Sequence, residues 1–409
     1  MNLSPTKERI LGAVGLLVIL LALMFILHRH LPQRVVYPPT SDDQRGMYLQ
    51  AGQIFADYGT FFQRAPGYSA WLGLVYLASN RDLRSTFYID KYGSTFILIF
   101  LIACLGWRLF DFRTGLLLGF WGLNCKYLIL ESNGSHTFAA CFFAGSLLSL
   151  LIKRDALRLP VALLLLFLSA QARSEMYVVL WIVLAVLAIQ LLLRWRKGRL
   201  VISRAATAWA LGTLVLCVAL YATFVARRIA PEPNRMRETF CMSFALNYIE
   251  RNNLPKTIPA QQIWAEVFPA ISPPAAELKR DASKIDVVGA VRRYPKEIAS
   301  HFIYNIKLAV RALPAMVIGI DRLLLVLGAF VLYLASFFVW RPKPRWPTLP
   351  ATIRQQFWLW SLASFALIPI SLVLNVVARY YIQLLPVLMI GIVMALHAGF
   401  RMISKPSPQ

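Results

Sequence analysis

The chain has 409 residues, 58% of them hydrophobic, and a mean hydropathy of +0.59. A soluble chain of this length buries a large core without repeated apolar runs near twenty residues, the length that crosses about 30 Å of hydrocarbon. The formal charge of +24 would suggest nucleic acid in a soluble domain, but here the cations cluster in short loops between apolar runs, so nucleic acid is set aside as a partner and membrane topology explains the charge.

In chain order, apolar runs lie at 10–28, 93–110, 114–131, 136–152, 159–171, 176–193, 205–226, 313–340, 355–375 and 380–400. They predict an all-α polytopic membrane protein with about ten spans, roughly 8 to 12. The first run is followed by His28-Arg29-His30 rather than a small-residue cleavage site, as expected for an uncleaved first helix. Cations gather at Lys153, Arg154 and Arg158, at Arg194, Arg196, Lys197, Arg199 and Arg204, at Arg341, Lys343 and Arg345, and at Arg401 and Lys405. With ten spans these clusters share one face with Lys7 and Arg9, which places both termini in the cytoplasm and the long loops 29–92 and 227–312 outside.

The first external loop reads as two amphipathic helices in the interfacial plane, one carrying Met47, Leu49, Ile54 and Phe55, the other Trp71, Leu72, Leu74 and Val75 after the Pro66-Gly67 turn signal. The second loop, with Pro231, Pro233, Pro255, Pro259, Pro269, Pro273 and Pro274, suggests several short helices on the membrane surface. The expected organisation is a single membrane domain over 1–400 and a cytoplasmic tail over 401–409. Cys104, Cys125, Cys141 and Cys217 fall in predicted spans and Cys241 in a loop, with no metal-ligand spacing and no disulfide framework.

Ionisable groups near membrane depth are costly and call for an explanation. Four groups stand at the outer ends of the spans: Asp42 and Asp43; Glu131 with Asn133, Ser135 and His136; Arg173 and Glu175; and Arg379, Tyr380 and Tyr381. By odd and even counting they converge on one face, which suits an anionic substrate. Plainer readings stand beside this one. An aspartate can cap the helix that starts near Arg45; Arg173 and Glu175 can pair as a clamp; Glu131 can be solvated; His136 can be a polar helix-start residue; and Arg64 and Arg379 can snorkel to headgroups. No H-E-x-x-H, phosphate-loop or G-x-S-x-G motif is present.

The segment 41–76 resembles the first external loop of the GT-C glycosyltransferase superfamily, in its protein mannosyltransferase and aminoarabinose transferase branch. The matching positions are Ser41-Asp42-Asp43, Tyr48, Gly59 and Arg64-Ala65-Pro66-Gly67-Tyr68. Ala172-Arg173-Ser174-Glu175 is similar to the family's Arg-Pro-Glu element, with serine for proline, and Arg379-Tyr380-Tyr381 with Leu385-Pro386 to its Arg-Tyr…Pro pattern. The chain departs from the pattern where Asn133-Gly134-Ser135-His136 replaces an acidic residue opening the fourth span, and at Asp43, where glutamate is frequent.

The resemblance implies a GT-C-like helical bundle that takes a sugar from a polyprenyl-phosphate-linked donor and passes it to a glycan, lipid or protein acceptor by inverting displacement. Asp42 is the first candidate for the base and Asp43 the second. Arg379, Arg173 and Arg64 are the candidates for the phosphate, Tyr68 and Tyr48 for the sugar pocket, and Glu131, His136, Glu175 and Tyr380 for further substrate contacts. A divalent cation, magnesium or manganese, is compatible with the paired aspartates but not established by them, and no metal ligand is assigned. Compact size and the lack of sorting motifs favour a bacterial inner membrane with the site on the periplasmic side. A saccharide transporter or flippase and an O-antigen-type polymerase or ligase remain the alternatives.

Overall fold

The computed structural model describes residues 5–28, 44–60, 66–126, 128, 134–197, 204–226, 235–319, 322–339, 345–374 and 378–403. Among them the chain is all-helical. Seven helical segments are long and apolar enough to cross a membrane, Ile10–Leu27, Leu83–Leu109, Asp155–Ala172, Met176–Arg196, Arg204–Ala226, Ala351–Val373 and Tyr381–Phe400, with Leu323–Phe337 a shorter apolar helix. The run expected at 93–110 begins ten residues earlier in the structure, at Leu83. The run at 313–340 falls in two helices, one ending at Ile318 and one beginning at Leu323.

The chain gathers into two compact units, one made of 1–229, 316–365 and 382–409, the other of 230–315 and 366–381. The first contains α1 (Pro5–His28), α2 (Gln44–Tyr58), α3 (Pro66–Ala78), α4 (Leu83–Leu109), α5 (Phe112–Leu123), α6 (Gly134–Ser149), α7 (Asp155–Ala172), α8 (Met176–Arg196) and α9 (Arg204–Ala226). Both amphipathic segments of the first loop are thus helices. Small residues let the helices approach closely, as lipid-embedded packing requires. A Cβ on Gly115 of α5 would lie 2.8 Å from the Ala103 carbonyl oxygen of α4, and one on Gly106 of α4 would lie 2.6 Å from Leu118 of α5.

Direction follows from the cross-helix bonds. The Ser146 hydroxyl donates to the Ala162 carbonyl (2.7 Å) and that of Ser169 to the Ala139 carbonyl (2.8 Å), so α6 and α7 are antiparallel. The Cys141 thiol donates to the Ser94 carbonyl at 3.2 Å, and Gly134 lies beside Asp90, so α4 and α6 run parallel. The N-termini of α4, α6 and α8 and the C-terminus of α7 therefore share one end of this unit. α9 buries none of its residues; its apolar girth is what a lipid-facing helix presents.

The second unit holds α10 (Arg235–Arg251), α11 (Ala260–Val267), α12 (Ala275–Arg280), α13 (Val287–Arg293), α14 (Pro295–Ile318) as far as Ala315, and α17 (Leu367–Leu374). Between its two stretches of chain come α15 (Leu323–Val339) and α16 (Ala351–Ser364), and α18 (Leu385–Ile403) follows the second; these three belong to the first unit. Phe240, Cys241, Phe244, Trp264, Phe268, Leu278, Ile285, Ala290 and Ile298 form the core of the second unit. Beside that core, Asn247 Nδ2 donates to His301 Nδ1 (2.9 Å) and Asn305 Oδ1 (2.8 Å), Asn305 Nδ2 donates to the Leu372 carbonyl (2.6 Å), and His301 Nε2 faces the Val373 carbonyl at 3.4 Å. Burial pushes the His301 imidazole down to about 4, although the Val373 carbonyl favours its charged form.

This packing sets how the chain responds to substitution and to pH. Gly115→Leu must force α4 and α5 apart and should cost about 1–3 kcal/mol, read as a lower thermal midpoint in detergent. Gly93→Leu, with nothing within 4 Å of its Cβ, should stay within about 0.5 kcal/mol. Because His301 titrates lower in the folded state than its ordinary 6.5, its contribution is full above that value and is lost as pH falls from 6.5 toward 4. The loss is on the order of 3 kcal/mol. His301→Gln should flatten that acid limb in thermal melts followed across the same window.

Candidate functional site

The shared end of the first unit is built around a carboxylate inside α4. Asp90 is buried, and both its oxygens accept hydrogen bonds from α3, Oδ2 from the Tyr68 hydroxyl (2.6 Å) and Oδ1 from the Trp71 indole N–H (2.8 Å). Tyr68 and Trp71 are three residues apart on a helix, so they project from one face. Phe138 of α6 backs both rings, stacked on Trp71 at 5.2 Å and tilted against Tyr68 at 5.8 Å. The neighbouring Lys91 is buried as well.

Glycines make the approach feasible. A Cβ on Gly134, the first residue of α6, would collide with the Tyr68 hydroxyl and with the Asp90 carboxylate. The carboxylate thus sits against a helix N-terminus, where the aligned peptide dipoles leave positive partial charge. A Cβ on Gly67 would lie 3.1–3.3 Å from Gln171 atoms at the end of α7, and one on Gly52 of α2 would lie 2.6 Å from Leu72 of α3. Leu49, Tyr68, Leu72, Phe87, Asp90, Lys91 and Gly134 line the narrow cleft that remains.

The next residues of α6 lead to the second charged group. Ser135 and His136 are fully buried, and Arg173, in the turn between α7 and α8, is buried beside them. Arg173 Nη2 pairs with Glu175 Oε1 at 2.7 Å, while Nη1 lies 3.5 Å from Ser135 Oγ. Gln171 Nε2 donates to the Tyr177 hydroxyl across the same turn. Glu175 Oε2 has no hydrogen-bond partner among the described residues.

Of the residues singled out in the sequence, Tyr68, His136, Arg173 and Glu175 therefore lie at this one end, with Arg173 and Glu175 paired to each other. Asp42, Asp43, Arg64 and Glu131 lie outside the described residues. Tyr48 falls within α2, and Arg379 and Tyr380 within the 3-10 turn Ala378–Leu384; that turn belongs to the second unit up to Tyr381. Among the described residues no three His, Cys, Asp or Glu side chains gather to hold a metal ion.

Sequence reading missed Asp90 because it took the chain up to residue 92 as loop. The signal was present in Ser79-Asn80-Arg81-Asp82. Asn80 and Arg81 adopt positive φ (54° and 62°), and Asp82 then caps α4 by accepting from the amides of Arg84 and Ser85. The hydrogen bonds from Ser85 hold Asp82 below the usual carboxylate range. A helix starting there carries Asp90-Lys91 in its third turn.

Comparison with protein-family models, with curated proteins and with solved structures gives no match to this chain.

The geometry makes a direct prediction. Tyr68→Phe removes one of the two α3 donors from a buried carboxylate and should cost about 1.5–3 kcal/mol, and Gly134→Ala should disrupt the same bond by collision. Both should lower the thermal midpoint in detergent, whereas Ser174→Ala, at an exposed position of the α7–α8 turn, should leave it unchanged.

Proposed function

We propose that this chain is a GT-C-like membrane glycosyltransferase that moves a sugar from a polyprenyl-phosphate-linked donor to a glycan, lipid or protein acceptor. The observation that carries the reading is the meeting of three segments. Pro66-Gly67-Tyr68, the start of α6 at Gly134-Ser135-His136, and the Arg173–Glu175 turn come together at one end of one helical unit around buried Asp90. Two of them, the first and the third, carry the resemblance in the sequence; the second stands where the family has its acidic residue. The reading includes a bundle of about ten spans, roughly 8 to 12, with α2 and α3 lying at the interface. It also includes a bacterial inner membrane, cytoplasmic termini and a periplasmic site.

In this mechanism Asp42 takes the proton of the acceptor hydroxyl as its oxygen attacks the anomeric carbon, and Asp43 is the fallback. The bond to the phosphate oxygen breaks with inversion. The leaving phosphate already carries charge, so the second carboxylic acid of a glycosidase is not needed. Arginines suit the developing charge because they bind phosphate through two parallel N–H groups. Arg379, Arg173 and Arg64 are the proposed ligands; at Arg173 a phosphate oxygen competes with Glu175 for one edge of the guanidinium. Asp90 fixes the face of α3 that bears Tyr68, and so positions the helix that follows Arg64.

The test is transfer from a labelled polyprenyl-phosphate sugar by membranes and by detergent-solubilised protein. Asp42→Asn should lower the rate about 10²- to 10⁴-fold. Full transfer by Asp42→Asn with loss in Asp43→Asn would move the base to Asp43. Activity retained in both single variants and in the double would remove the segment from the chemistry. Product formed in detergent separates transfer from transport.

A further inference from the structure

The second unit contains part of a candidate membrane span. α17 closes the candidate span Ala351–Val373 and belongs to this unit, where Asn305 and His301 of α14 engage the carbonyls of Leu372 and Val373. Residues 301–305 of α14 therefore stand level with the end of a segment long and apolar enough to cross a membrane. The opposite face of the same turns is bare. Ile303 and Val310 are each 67% exposed and Ile306 is 50% exposed, at a spacing that puts all three on one stripe. Lys307 and Arg311, both exposed, border the stripe on one side. The acidic residue of α14, Glu297, lies in its first turn, away from the stripe.

We infer that this stripe of α14 docks into the surface of a bilayer carrying anionic lipid. The three branched side chains enter the boundary between headgroups and acyl chains, and Lys307 and Arg311 reach back to lipid phosphates. An aqueous surface has no use for three large apolar side chains on one stripe, and an amphipathic helix with a basic edge is the form that lies in the interfacial plane. Its depth is fixed by the bonds to α17, because α14 is tied to the end of a span and cannot leave the membrane surface while those bonds hold. The basic edge makes the docking respond to anionic lipid.

The full-length protein in nanodiscs tests this, with phosphatidylcholine alone or mixed with phosphatidylglycerol. A genetically encoded fluorescent residue at 303, 306 or 310 should be quenched several-fold more by brominated acyl chains than by aqueous iodide. The Lys307→Gln/Arg311→Gln double variant should erase the difference between the two lipid compositions. Stronger quenching by iodide would overturn the proposal by showing the stripe in water. Quenching by neither agent would overturn it by showing a protein cover, a second copy included. The unmodified protein gives an independent reading: a photoactivatable lipid should leave adducts within 303–310, and their absence beside adducts on α9 would refute the docking.

Discussion

How Asp90 is satisfied decides the arrangement at one end of the first unit. A carboxylate removed from water is costly unless its oxygens are bonded, and each oxygen of Asp90 takes a donor from the same face of α3. Docking α3 is thus the condition for burying the carboxylate, and the glycines supply the space for it. Gly67 meets the end of α7, Gly52 meets α3 from α2, and Gly134 opens α6 without a side chain where the Tyr68 hydroxyl and the carboxylate must pass. Polar bonding gives the reason for the contact and missing side chains give its shape.

The second unit solves the same problem with neutral groups. Two asparagines and a histidine are bonded among themselves and to carbonyls of α17, next to a core of edge-on and tilted aromatic rings that includes Phe244, Trp264 and Phe268. In both units the buried polar groups join separate stretches of chain, while apolar faces such as that of α9 are left for the lipid. On the proposed reading, a lipid-linked donor would meet a water-excluded carboxylate and an apolar surface on one scaffold.

Much of this was legible in the sequence. The apolar runs gave the helical membrane class, the Pro66-Gly67 signal gave the start of α3, and the pairing of Arg173 with Glu175 was one of the two readings open for those residues. The parity of the spans also brought Ser135 and His136 to the same end as Arg173. What escaped was local and steric. Asp90 reads as loop from hydropathy because the apolar run begins only at residue 93, whereas the Asp82 cap starts the helix at Leu83. The role of Gly134 depends on Tyr68, 66 positions earlier in the sequence, and no periodicity expresses such a contact. The run at 313–340 read as one span because an interruption near Gly319 carries little weight in average hydropathy.

The discontinuity of the second unit bears on how the protein is made. Its first stretch ends at residue 315 and its second begins at 366, with the intervening chain committed to the first unit. During synthesis His301 and Asn305 leave the ribosome before the carbonyls of Leu372 and Val373 exist for them. At roughly 5–20 residues per second the delay is about 3 to 14 s, through which the His301 imidazole and the Asn305 amide lack those carbonyl partners, although the aromatic core of residues 240–298 has already been made. Completion of this unit is therefore a late step of biogenesis that waits on insertion of α16 and α17, and a nascent chain arrested before residue 366 presents an unfinished surface to the quality-control machinery of the membrane.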